Sequence, residues 1–68
     1  MSNASIQTRV LGVLRNYSVG ASVRFIAETL ELKPEVVTSV LESLYVSSMV
    51  ERRRLSNTSI DIYRLVSN

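Results

Sequence analysis

Apolar residues recur at helical spacing through the first two thirds of the chain and at alternating spacing in the last third. Ile6, Val10, Val13, Leu14 and Tyr17 fall at i, i+4, i+7, i+8 and i+11, which is the stripe of an amphipathic helix with one buried face. Ser5 suits an N-cap, and Ser18-Val19-Gly20 suits a stop because glycine takes the left-handed conformation without penalty. The pattern predicts a first helix over about 5–17, with Leu11 at the edge of its stripe. Ser22 then offers a cap to a shorter helix over about 23–30, in which Val23, Ile26, Ala27 and Leu30 share a face. Glu31-Leu32 makes the turn. Pro34 fits the first position of a third helix and disfavours helical geometry at Lys33. Val37, Val40, Leu41 and Leu44 carry that helix to about 47, with Glu35, Thr38, Ser39, Glu42 and Ser43 opposite and Val36 at one flank.

After Met49 the period falls towards two. Val50, Leu55, Ile60, Ile62, Tyr63 and Val66 flank the turn-prone Ser56-Asn57-Thr58-Ser59, which reads as a β-hairpin. A turn centred on Asn57-Thr58 sets Arg54 opposite Asp61 and Glu51 opposite Arg64. Two opposite-charge pairs from one register support that register, each contributing about 0.2–1 kcal/mol. Val50, Tyr63 and Leu65 then share the core side, and Leu55, Ile60 and Ile62 share the other.

Sixty-eight residues allow one domain with one small core. The chain has no Cys and no His, so neither disulfides nor the usual zinc ligands stabilise it, and the commonest general base and best nucleophile are missing. Glu28, Glu31, Glu35, Glu42, Glu51 and Asp61 stand singly, without paired-carboxylate or metal-loop spacing. An enzyme, a metal site and a bound cofactor are therefore not expected. No apolar run approaches the ~20 residues a membrane helix needs, and the N-terminus lacks the order of a signal peptide. A membrane partner is not expected, and the expected location is intracellular: cytoplasm, nucleoid, or a host cell for a viral protein. Ser2-Asn3-Ala4 has the look of a cloning remnant, so residues 1–4 are set aside, as a remnant or a disordered N-terminus, from a domain over 5–66.

The net charge of +2 is mild, but it is unevenly spread. Residues 5–20 carry +2, residues 21–49 carry −2, and residues 50–68 carry +2, so the positive field lies towards the two ends of the chain.

Taken in order, Ile26-Ala27 with Leu30, the turn Glu31-Leu32-Lys33-Pro34, then Val37, Leu41 and Leu44, then Met49-Val50-Glu51-Arg52 and the closing Ile62-Tyr63-Arg64-Leu65 resemble the winged helix-turn-helix superfamily of DNA-binding domains. The likeness covers nearly the whole chain. It implies an α+β fold of three helices followed by a two-stranded wing. It also implies a docking geometry on double-stranded DNA, with the third helix in the major groove and the wing along the neighbouring phosphates. By that resemblance Ser22 and Arg24 meet a phosphate at the start of the second helix, and Lys33 meets another. Glu35, Val36, Thr38 and Ser39 face the bases, and Arg52, Arg53, Arg54, Asn57 and Thr58 form the wing contact. The chain departs from the pattern at Lys33, where a Ser or Thr cap is usual, and at Ser48, where a Gly usually ends the recognition helix. The recognition face also carries two Glu and neither Arg nor Asn, the side chains that make the strongest base contacts.

Two readings follow. The first is a small bacterial, archaeal or viral transcriptional regulator that acts by occupying a promoter as a homodimer, through the first helix and the wing. The second is a winged-helix module for protein–protein assembly, favoured by the acidic face and opposed by the three wing arginines. Leu55, Ile60 and Ile62, exposed together on a two-stranded ribbon, would serve self-association or a partner protein.

Overall fold

The computed structural model describes residues 3–66, with side chains from Ser5 onward. The elements run α1 (Asn3–Asn16), β1 (Ala21–Ser22), α2 (Val23–Leu30), α3 (Pro34–Val46), β2 (Val50–Arg54) and β3 (Asp61–Leu65). Asn3 and Ala4, set aside in the sequence reading, belong to the first turn of α1, while Met1 and Ser2 lie outside the described residues.

Three helices pack on a small antiparallel sheet of order β1-β3-β2. The wing is therefore two strands of a three-stranded sheet, because Ala21 pairs with Tyr63 and Ser22 with Ile62. The hairpin register is the one the charges indicate: Arg54 faces Asp61 and Glu51 faces Arg64, as ion pairs of 3.1 and 3.0 Å.

Gly20 makes the third strand feasible. Its φ of +113° is a conformation that L side chains rarely adopt, and a Cβ there would collide with the Ile62 γ-methyl and come within 3.2 Å of the Tyr63 carbonyl oxygen. Ile62 lies over this glycine and is half-buried, whereas Leu55 and Ile60 remain 43% and 47% exposed. The expected outer patch thus shrinks from three side chains to two.

The core joins all the elements. Val10 and Leu14 of α1, Ile26 of α2, and Val37, Leu41 and Leu44 of α3 are fully buried, with Val50 and Tyr63 closing the sheet side. Tyr17 falls past the end of α1 and, contrary to its place in the periodic stripe, is half-exposed. Its ring meets Phe25 edge-on, 4.9 Å between centroids at 79°, a geometry that suits the aromatic quadrupole. Phe25 thereby gains an edge-packing role.

Both ends of α2 and the far end of α3 have local causes. The Ser22 hydroxyl accepts from the Phe25 backbone N–H at 3.1 Å and caps α2. Glu31 ends that helix in the left-handed conformation, φ 57° and ψ 45°, with Leu32 N–H donating to the Ala27 carbonyl at 2.9 Å. The Arg9 side chain reaches from α1 to the Leu30 carbonyl at 3.2 Å and satisfies another free acceptor. Ser48 performs the turn for which glycine is usual: its φ is 62°, Met49 N–H donates to Leu44 and Ser48 N–H to Tyr45, at 2.9 and 3.0 Å. These paired bonds form a Schellman motif, so a serine supplies the left-handed stop that the sequence left in doubt.

Leu41→Ala should destabilise the domain by about 2–5 kcal/mol through the cavity left at a fully buried site, read as a lower chemical-denaturation midpoint. Gly20→Ala should cost about 1–3 kcal/mol from backbone strain alone, with more from the clash at Ile62, read as a loss of melting temperature without change in helix content.

Candidate nucleic-acid interface

The residues predicted to contact DNA fall into three places. Ser22 and Arg24 lie at the start of α2. Lys33, Glu35, Val36, Thr38 and Ser39 occupy the first half of α3 and its cap. Arg52, Arg53, Arg54, Asn57 and Thr58 belong to the wing.

At α2 the side chains are already engaged. The Ser22 hydroxyl serves as the cap, and the Arg24 guanidinium pairs with Glu28 one turn on at 3.2 Å. That pair is solvent-exposed on both sides, so it opens at little cost.

Helix α3 begins at Lys33, whose extended backbone (φ −71°, ψ 140°) lets its carbonyl accept from Val36 and Val37 at 3.0 and 3.2 Å. No side chain caps this end. The first backbone N–H groups of α3 therefore have no side-chain partner, and with a lysine at the cap position this end of the helix favours an anion. Glu35 and Ser39 are exposed, and Val36 and Thr38 are half-exposed. A shallow groove of about 470 Å³ runs between α1 and α3, lined by Gln7, Glu35, Val36, Ser39, Val40 and Ser43. Among the described residues neither Glu35 nor Glu42 makes an ion pair. The outer face of α3 is thus a hydroxyl-bearing strip flanked by two uncompensated carboxylates.

The wing arginines divide by the face of the ribbon they occupy. Arg52 and Arg54 point with Val50 towards the helices, and Arg53 points away with Glu51. Arg52 lies over the Tyr45 ring, 4.6 Å from its centroid, and hydrogen bonding with the Tyr63 hydroxyl raises its pKa further above the ordinary arginine value. Arg54 is paired with Asp61. Arg53 has no ion-pair partner among the described residues and is the most available cation of the three. At the tip, Asn57 takes φ 62° at the third position of the turn Leu55–Thr58, closed by Thr58 N–H to the Leu55 carbonyl at 3.2 Å, a position that demands positive φ in a type II turn. The Thr58 hydroxyl donates to the Leu55 carbonyl at 3.0 Å and accepts from Ile60 N–H at 3.1 Å. Its one proton is therefore committed to the turn and is not free for a phosphate oxygen.

Tyr45 was not among the sequence candidates. It stands three residues after Glu42, and only the packing of β2 beside α3 brings Arg52 onto its ring. Through this contact the acidic helix face and the basic wing become neighbours on one side of the domain.

A short α2, a left-handed turn at Glu31, a second helix begun at Pro34 and a β-ribbon docked against its far end define a winged helix-turn-helix domain. The fold superposes on the Zalpha domain of zebrafish PKZ, solved as a crystal structure of the apo form. The match has a TM-score of 0.88 and 25% sequence identity, and covers 98% of this chain and 100% of that one. No family model and no curated protein matches the sequence.

Ser22→Ala should cost about 0.5–2 kcal/mol by leaving the first N–H groups of α2 without their cap, measurable as a lowered denaturation midpoint. Glycine at the same position should cost only a few tenths, about 0.3 kcal/mol.

Proposed function

We propose that this domain binds double-stranded DNA and regulates transcription by occupying promoters in the cell interior, with a homodimer as its DNA-free form. The observation that carries the reading is the side-by-side placement of α3 and a wing bearing Arg52, Arg53 and Arg54 in a winged helix-turn-helix fold. In that docking geometry α3 approaches the major groove and the ribbon follows the adjacent backbone. Lys33, Arg53 and Asn57 are the best placed for phosphate. Arg52 adds positive charge beside α3, and Arg24 and Arg54 become available when exposed pairs open.

Base readout is shallow on this reading. Thr38 and Ser39 offer hydroxyls and Val36 an apolar flank for thymine methyls, while Glu35 repels phosphate and suits at most a cytosine amino group. Specific binding about 10²–10³-fold above non-specific is expected, at or below the low end for regulators. With neither His nor Cys, binding without catalysis remains the reading. A second reading rests on Glu35 and Glu42: an unpaired acidic face suits a basic protein surface better than a nucleic acid, as in an assembly module.

Affinity for a random duplex, measured against salt, separates the two. Counterion release by about three wing arginines gives a log–log slope of roughly −2 to −3, whereas an assembly module shows no duplex affinity. Replacing Arg52, Arg53 and Arg54 together by Ala should flatten that slope and weaken binding to all sequences about equally, because phosphate contacts carry no sequence information. Unchanged affinity at low salt would overturn the wing's role.

A further inference from the structure

Helix α3 and the wing carry opposite charge. Between Pro34 and Val46 the only charged residues are Glu35 and Glu42, so this helix stands at −2. From Val50 to Leu65 four arginines face Glu51 and Asp61, so the wing stands at +2. Glu35, Glu42 and Arg53 have no ion-pair partner among the described residues, so the attraction is not already satisfied within one chain. The two surfaces adjoin through Arg52 on Tyr45.

From this arrangement we infer that two copies of the chain associate face to face, the wing of each lying on the α3 face of the other. Like-on-like contact is repulsive at both surfaces: wing against wing opposes two triplets of arginine, and α3 against α3 opposes two pairs of carboxylates. A twofold axis between neighbouring patches of opposite sign sets each patch on its complement twice, so the contact closes as a dimer. The two surfaces also match in composition, each pairing apolar side chains with charge. The groove between α1 and α3 is lined by Glu35 together with Val36 and Val40, and the wing tip offers the exposed Leu55 and Ile60 with Arg53 behind them. Edge-to-edge pairing of β2 with its copy is disfavoured by its run of arginines.

The consequence deepens the reading given above and rests on it: this dimer covers the surface that would meet DNA. Duplex and a second copy compete for the same arginines, and the resting dimer is a sheltered form from which a polyanion releases monomers.

Sedimentation equilibrium of the full chain, at concentrations approaching millimolar, tests the contact. Dimerisation is expected at low salt, and it should weaken at least roughly tenfold between about 0.05 and 0.3 M salt as exposed charges are screened. Glu35→Lys with Glu42→Lys should abolish it, as should Arg53→Glu with Asn57→Asp. All four positions are exposed, so the fold is expected to persist, and circular dichroism and a thermal melt verify this for each variant. Mixing the two variants should restore a heterodimer, because each wing then meets an α3 face of opposite sign. A chain that stays monomeric at low salt overturns the inference. A dimer indifferent to salt and to both charge reversals overturns it equally, moving the contact to an uncharged surface such as α1. Adding random duplex to the parent dimer tests the competition: release of monomer–duplex complexes supports it, and a duplex bound by an intact dimer overturns it. A duplex that does not bind at all sinks the DNA reading and leaves the dimer to be decided by the charge reversals.

Discussion

Helix α3 is held by Val37, Val40, Leu41 and Leu44, all buried, and the placement of every charged surface follows from that anchorage. Because this stripe packs against α1, α2 and the sheet at once, the opposite side of the helix has no freedom of rotation. Glu35, Ser39 and Glu42 must face solvent. At its far end the Schellman turn at Ser48 sends the chain directly into β2, so the wing leaves from the end of α3 and Arg52 comes to rest on Tyr45. The spatial relation between acidic helix and basic ribbon is thus set by packing of uncharged residues.

The charges themselves hold little of the fold together. The three ion pairs among the described residues, Arg24–Glu28, Arg54–Asp61 and Arg64–Glu51, lie at the surface with at least one well-exposed partner, and exposed pairs contribute about 0–1 kcal/mol each. That weakness is useful in an interface. Arginines held by exposed pairs can exchange an internal carboxylate for a phosphate with small net loss, while the backbone ladder of β2 and β3 keeps them on one ribbon. The tip is stiffer than its composition implies, since Thr58 uses both its hydroxyl proton and an acceptor site within the turn.

An unpaired acidic face beside a basic one has a clear physical meaning for a small domain. It weakens direct base readout, because a carboxylate in the major groove repels the backbone on either side. In the proposed dimer it would also supply a competing ligand for the arginines of a second copy. On the proposed reading, such a protein would bind polyanions according to salt and concentration more than according to sequence, a behaviour distinct from that of a recognition helix carrying Arg or Asn.

Much of the architecture was legible in the chain because it depends on local periodicity and local caps. The apolar spacing of Val37, Val40, Leu41 and Leu44, the Ser22 cap and Pro34 placed α2 and α3 to within a residue, and opposite charges across the hairpin set its register. Other features have no local signature. A two-residue strand such as Ala21–Ser22 is too short for any period, so β1 exists only because Gly20 lets Ile62 and Tyr63 come close. Left-handed Glu31 and Ser48 are imposed on residues that do not favour it, by helix ends that must turn back onto the core. Tyr17 leaves its stripe because the helix stops one residue earlier. The sequence by itself determined the extents of α2 and α3, the pairing in the wing and the core stripe of α3, since these follow from spacing along one segment. Tertiary structure alone decided that Arg52 meets Tyr45, that Ile62 is covered and that the acidic and basic surfaces lie side by side, since each depends on segments whose separation in the chain says nothing of their distance in space.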